Sequence, residues 1–550
     1  MRCYTCALAH NNFDAGNSFR TAKMELIRNT NPSFQASQST TLFTHKLERF
    51  SIGIFMKILV ASSEVVPFSK TGGLADVCGA LPVALEQLGH EVIVFVPSYR
   101  GSDNCGAVIE PTGIDLQIPI DDRIVAGTLG RTCLPGSNVT VYLVEQSDYF
   151  DRGGLYGDDG GEFEDNCERY TFFCRAVLES IRLLNWKPDL IHANDWQTGL
   201  IPTLLKIEYS DIPMYEGIAS LMTIHNLAYQ GSFWYQNLQL TGIDRKYFNW
   251  QQMESYGNLN LLKSGLVFAD GISTVSPTYA QEIQGPEQGC GLDGLLTERR
   301  DVLSGILNGI DVGEWNPGTD SHLPVEYDVD TVFKSKPECK AHLRRQFRLY
   351  ENERTPLIGI VGRLATQKGW SLILPVMRKW LASLDVQWVV LGTGDAQYHR
   401  ALESLHRSYP DKFGLNLGFS NQQAHQIEAG ADMFVMPSQY EPCGLNQMYS
   451  MAYGTVPVVR QTGGLADTVV DTTPVTIENR TANGFGFVDF SSQALESALH
   501  RAVDIYHNRG DVWQQLIQTG MRRDWSWTAS ARQYVDLYQK IVVQHKDGQG

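Results

Sequence analysis

The 550-residue chain has no uninterrupted apolar run of about 18 residues, which leaves no candidate for a membrane-spanning helix. Positive charge is in deficit. Forty-five Lys and Arg stand against 61 Asp and Glu, a net charge of −16, so the overall balance gives no pull toward nucleic acid or an anionic membrane. Cysteine is sparse, with ten residues scattered along the sequence and no His/Cys grouping at zinc-finger spacing. A secreted disulfide scaffold is excluded on that count. Cys3 and Cys6 form a lone C-x-x-C in a polar tail, too little for a metal site. Neither a Walker phosphate loop nor the dinucleotide G-x-G-x-x-G is found, and the second absence argues against a nicotinamide enzyme.

What is present reads as a globular protein: 43% of residues are hydrophobic and 19% charged. The length suits two large domains or three to four small ones. Residues 1–55 differ from the rest, being rich in Ser, Thr and Asn and without apolar periodicity or a secretory h-region. They read as a disordered or non-native leader, with an organelle transit peptide as the alternative.

From Met56 the pattern alternates strand and helix. Lys57 to Ala61 is a short buried run. Leu74, Val77, Cys78, Leu81, Leu85 and Leu88 then mark one helix face, which Gly89 stops, and Glu91 to Val96 is the next strand. Strands follow at Leu190 to Ala193 and Leu221 to Ile224. A second series comprises Leu357 to Val361, a helix over Leu372 to Leu384, Gln387 to Leu391, Met433 to Met436 and Val456 to Val459. The spacing predicts two doubly wound parallel α/β domains, 56–304 and 305–524, facing across a cleft. A terminal helix within 525–545 packs back, and it is assigned to the N-terminal domain.

Ligands of such sheets bind beyond the carboxyl ends of the strands, so the polar residues there are the candidates. Lys70-Thr71-Gly72-Gly73 sets a cation beside amides that can approach an anion closely, ahead of a helix start. The hexapeptide Thr71 to Asp76 recurs unchanged as Thr462 to Asp467, either as functional reuse or as simple turn chemistry. Arg363 and Lys368 follow a buried strand and suit a diphosphate. Glu441 in Glu441-Pro442-Cys443-Gly444-Leu445 can bridge sugar hydroxyls, while Cys443 reads as packing because no His is paired with it. Asp195 and His225 each end a strand. Asp328-Val329-Asp330 has the form of a metal-binding D-x-D but lies in a charged loop and is rejected.

These motifs resemble those of the bacterial glycogen synthase and plant starch synthase family: Lys70-Thr71-Gly72-Gly73-Leu74-Ala75-Asp76-Val77, Thr223 to Gly231, Arg363 with Lys368, Glu441 to Leu445, and Asn308-Gly309-Ile310-Asp311 with Trp315-Asn316-Pro317. The resemblance runs from Met56 to about Lys540. It implies the GT-B fold and retaining transfer of glucose from ADP-glucose to the non-reducing end of an α-1,4-glucan or glycogen primer, with no cofactor or metal and no nucleic-acid or membrane partner. By the same resemblance, Lys70, Gly72, Gly73, Arg363, Lys368, Glu441, Cys443, Gly444 and Leu445 bind the donor, and Glu441, Asp195 and His225 position its glucose. Many relatives carry His where this chain has Asn194 and Gln197, which removes proton shuttling at those two positions. The alternatives are a UDP-glucose transferase of the sucrose-synthase kind and an inactive glucan-binding scaffold. The expected location is the cytoplasm, or a plastid if the leader is a transit peptide.

Overall fold

A computed structural model describes residues 55–158 and 160–548, so the leader and the Cys3–Cys6 pair lie outside the described residues. Two open sheets organise the chain. The first runs, from edge to edge, Leu303–Gly305, Gly271–Thr274, Ala219–Ile224, Leu190–Asn194, Lys57–Ala61, Glu91–Pro97, Thr140–Glu145, Arg123–Cys133 and Glu110–Ile120. Its first seven strands are parallel, and the last two form an antiparallel hairpin against Thr140–Glu145. The second sheet is parallel throughout, in the order Phe413–Asn416, Gln387–Leu391, Leu357–Val361, Met433–Met436, Val456–Arg460 and Phe485–Phe487.

The parallel strands form where the sequence offers continuous apolar runs, because helices cover both faces. Leu190–Asn194 and Gln387–Leu391 are buried at every position. The hairpin strand Glu110–Ile120 alternates buried and exposed residues toward its end, as a sheet with one wet face does. Around Phe95, Phe150, Phe172 and Trp196 the first core fills one side of the first sheet. The terminal helix Trp527–Gly548 covers the other side, where Tyr534, Tyr538 and Ile541 pack with Ile58, Leu81 and Leu85. The Tyr538 hydroxyl meets His192 Nδ1 at 2.8 Å beneath the central strands.

The chain passes between the lobes twice, in adjacent segments. Ile310 N donates to Trp525 O at 2.8 Å, and Ser530 Oγ donates to Leu307 O at 2.6 Å. Gly309 sits where an added Cβ would lie 2.6 Å from Trp527 N, so only glycine allows this approach. A further set of contacts joins the lobes. Thr278 N and Oγ1 donate to the Asp467 carboxylate, and Ser276 Oγ donates to Pro442 O at 2.7 Å.

Buried in the second lobe, His425 donates from Nδ1 to Asp320 Oδ2 at 2.7 Å and faces Glu314 Oε1 across 3.9 Å from Nε2. Trp315 stacks on the imidazole with centroids 3.9 Å apart. Burial opposes protonation of His425, but the two carboxylates outweigh it and raise the imidazole to about 9. A raised folded pKa gives stability that is complete below pH 6.5 and is lost as pH climbs through 9. The shift corresponds to about 3 kcal/mol. Denaturation curves at pH 6 and pH 9.5 should therefore show a loss of that order which His425→Gln lacks; parallel losses in both proteins contradict the assignment.

Candidate active site

In the parallel part of each sheet the strand order reverses at one point, and both reversals carry candidate residues. In the first sheet the switch lies between Lys57–Ala61 and Leu190–Asn194, which lead to the Lys70 loop and to Asp195. In the second it lies between Leu357–Val361 and Met433–Met436, which lead to Arg363 and Lys368 and to Glu441. A crevice at such a point is where open α/β sheets take ligands.

Across the second switch point Lys368 Nζ lies 2.6 Å from Glu441 Oε2. Ser438 Oγ donates to the same oxygen at 2.9 Å, and Oε1 makes no hydrogen bond with a described residue. Arg363 is exposed and forms no ion pair among the described residues. Burial raises the nearby Tyr440 hydroxyl, against a smaller opposing pull from the Arg363 guanidinium. The thiol of Cys443 is buried and pushed up to about 12 by that burial, so it is inert as a nucleophile and serves packing. Gly444 has φ +71°, and the helix Asn446–Ala452 begins two residues after it.

At the first switch point Asp195 holds φ 55° and ψ 179°, a region close to glycine-only that costs a non-glycine residue about 1–3 kcal/mol. The strain aims its carboxylate at the next strand end, where Oδ1 accepts the His225 N–H at 2.8 Å. Burial pushes the Asp195 carboxyl up to about 7, against the backbone amides of His225 and Asn226 that favour ionisation. The His225 imidazole is pushed down to about 3 by burial and stays neutral. Asn194 Nδ2 donates to Ala61 O and His192 O, which fixes its Oδ1 as the acceptor facing His225 Nε2 at 2.9 Å. His225 therefore carries its proton on Nε2 and offers Nδ1 as an acceptor.

The glycine loop differs from the sequence expectation in one respect. The amides of Thr71 and Gly72 and the Thr71 hydroxyl all donate to the carboxylate of Glu64, which also accepts from Tyr156 OH at 2.6 Å. These donors are already occupied by an internal anion. Lys70 Nζ pairs with Asp76 Oδ1 at 2.6 Å; burial raises the Asp76 carboxyl although Lys70 opposes it. The Glu314 carboxyl of the second lobe is held low chiefly by His425, with a smaller contribution from the charge of Lys70. Among the described residues no hydrogen bond or ion pair joins Lys70 to Arg363 or Lys368.

The two copies of the hexapeptide separate clearly. In the second, Thr462 Oγ1 and Gly463 N donate to Glu282 of the first lobe. Gly463 has φ +46°, and Cβ atoms added at Gly463 and Gly464 would meet Glu441 O at 2.0 Å and Cys443 O at 2.1 Å. Packing requires those glycines, so this copy fastens the lobes and supports the Glu441 loop. At Gly72 and Gly73 an added Cβ would meet nothing within 4 Å. The fold does not demand glycine there.

Sequence reasoning did not single out Glu64, Tyr156, Ser438, Glu314 or Tyr440. A cavity of about 160 Å³ opens between Asn226, Ala228 and Tyr279 of the first lobe and Gln439 and Tyr440 of the second. The pairing of Asp328 with Thr331 accounts for the D-x-D sequence: its carboxylate takes the Thr331 hydroxyl and amide and caps a turn.

Residues 57–298 match the family profile described as starch synthase catalytic domain, and residues 344–513 that described as glycosyl transferases group 1. A glycogen synthase of Rhodopirellula baltica is 44% identical over 88% of this chain and 98% of its own length. One from Thioalkalivibrio sulfidiphilus is 46% identical over 88% of this chain and all of its own. Among solved structures, the catalytic domain of starch synthase IV from Arabidopsis thaliana, bound to ADP and acarbose, superposes with a TM-score of 0.82 at 33% identity, covering 89% of this chain and all of that one. A sucrose-phosphate synthase from Thermosynechococcus elongatus, 18% identical with a TM-score of 0.52, shares the fold.

Proposed function

This chain belongs to the glycogen and starch synthase family of GT-B glucosyltransferases, and on that premise we propose that it transfers glucose from ADP-glucose to the non-reducing end of an α-1,4-glucan primer with retention of configuration. The observation that carries the reading is the pair of facing switch points. One bears a neutral histidine acceptor and a strained aspartate, and the other bears two cations and a carboxylate.

Charge grows on the diphosphate as the bond to the glucosyl carbon breaks, so fixed cations favour the transition state over the bound donor. Lys70, Arg363 and Lys368 supply that charge. Lys70 leaves Asp76, and Lys368 swings between Glu441 and the leaving group. Glu441 Oε1, Asp195 and His225 Nδ1 accept hydroxyl protons of the glucose and set its orientation. Retention by a covalent carboxylate would need a free nucleophile beneath the ring. Glu441 is held at Oε2 by Lys368 and Ser438, with Oε1 assigned to a glucose hydroxyl, and Asp195 is held by the amides of His225 and Asn226. We therefore favour front-face attack: the acceptor 4-OH forms the new C–O bond, the bond to phosphate breaks on the same face, and the departing phosphate oxygen takes the hydroxyl proton. Closing the lobes keeps water from competing.

Among the described residues no helix is long and apolar enough to cross a membrane. With bacterial relatives, that supports a cytoplasmic location as part of this reading. The test is incorporation of label into glycogen from ADP-glucose beside UDP-glucose. Incorporation from ADP-glucose is expected; from UDP-glucose alone it overturns the donor, and from neither it overturns the transfer.

A further inference from the structure

Two short helices meet where the lobes join, and each supplies a carboxylate to the other's first turn. Pro277–Glu282 follows the strand Gly271–Thr274 of the first sheet, and Gly463–Thr468 follows Val456–Arg460 of the second. At one end the Glu282 carboxylate accepts from Thr462 Oγ1 at 2.9 Å and from Gly463 N at 3.1 Å. At the other end the Asp467 carboxylate accepts from Thr278 N at 2.9 Å and from Thr278 Oγ1 at 2.7 Å. First-turn amides have no partner within their own helix, so a carboxylate from across the joint satisfies them. The two helices therefore run antiparallel and are fastened at both ends. A contact at one point leaves two bodies able to turn about it, whereas contacts at both ends of a helix pair fix their angle as well.

This clasp is continuous with the Glu441 loop. Ser276, the N-cap of the first helix, accepts from Tyr279 N at 3.1 Å and donates from Oγ to Pro442 O at 2.7 Å. From the second lobe Gly464 N reaches Glu441 O and Pro442 O, each at 3.1 Å. The Pro442 carbonyl, one residue beyond Glu441, thus takes a donor from each lobe. Val275 of the first lobe packs with Cys443 and Leu465 of the second in one buried cluster.

We propose that Glu282 and Asp467 are positioning residues for glucosyl transfer: by clasping the two helices they set the Glu441 carboxylate against Asp195 and His225 of the opposite lobe. The inference rests on the proposed function for the identity of the reaction. The two carboxylates act through the backbone. Glu282 holds Gly463, and the Gly463–Gly464 segment lies so close to Glu441 O and Cys443 O that it cannot shift without carrying the loop with it. Arg363 and Lys368 share the second lobe with Glu441, so a loosened clasp leaves those donor contacts together and spoils the alignment between lobes. Rate then suffers more than donor affinity.

The test measures kcat, the KM for ADP-glucose and the melting temperature of Glu282→Ala, Glu282→Gln and Asp467→Ala. Arg501→Ala is the control for lost stability, because it gives up an ion pair with Asp471 inside the second lobe. Glu282→Ala and Asp467→Ala should each lower kcat about tenfold or more, with the KM for ADP-glucose changed less than about threefold, since an ångström of misplacement costs up to about 10²-fold in rate. Glu282→Gln keeps an oxygen that can accept from both Thr462 and Gly463, and it should recover most of the loss. Arg501→Ala should melt lower with kcat unchanged. Native kcat in both alanine variants overturns the proposal. So does a raised KM with kcat held, or a rate loss that Arg501→Ala reproduces. A native chain that transfers no glucose defeats the proposed function and this inference with it, whereas native transfer with unaffected variants defeats the clasp alone.

Discussion

Lys368→Ala should lower kcat by about 10²–10³, the loss of about 2.7–4 kcal/mol that follows removal of one donor from a site of developing negative charge. Two effects combine in this variant and can be separated. Glu441 is buried and loses its only cationic partner among the described residues, which costs stability as well as rate. Adding Glu441→Gln to Lys368→Ala removes the stranded carboxylate, so the melting temperature should recover while turnover does not. Recovery of both would reduce Lys368 to a structural ion-pair partner. Arg363→Ala, which breaks no ion pair, should show the rate loss with no stability loss.

The second large effect is at Asp195. Its carboxyl titrates near 7 because burial disfavours the charge, and only the ionised form accepts hydroxyl protons at both oxygens. Activity should rise through pH 7 in the native enzyme. Asp195→Asn should lower kcat about 10²-fold, as expected when a substrate is misplaced by about an ångström, and should remove that limb of the profile. The sign is set by the raised pKa: below 7 the native protein holds a proton that the unfolded chain has released, so ionising Asp195 costs stability as pH rises from about 4 to 7. A profile with the same limb in Asp195→Asn would assign the titration elsewhere; His225, held near 3, is not the source.

The sequence made the parallel strands legible because burial on both faces leaves a continuous apolar signature. Leu357–Val361, Gln387–Leu391 and Met433–Met436 fall where the apolar runs place them. Glu110–Cys133 carried no such signal, since its two strands alternate, face solvent and include Pro111, Gly113 and Pro119. The strand-end residues Asp195, His225, Arg363, Lys368 and Glu441 could be nominated because topology alone puts ligands there. Their partners could not. Glu64 and Tyr156 meet over 92 residues of separation, and Glu282 reaches Thr462 over 180, so neither contact leaves a local pattern. The repeated hexapeptide shows the limit most clearly: identical residues bind a carboxylate in both places, yet only the surroundings tell the open loop from the fastener between lobes.

A crystal structure of the complex with ADP addresses the convergence of cations from both lobes on one nucleotide. Lys70 should have left Asp76 and, together with Arg363 and Lys368, should lie within hydrogen-bonding distance of the diphosphate. ADP bound in the closed cleft with Lys70 still on Asp76, or held on a face that Arg363 and Lys368 do not reach, would contradict the account.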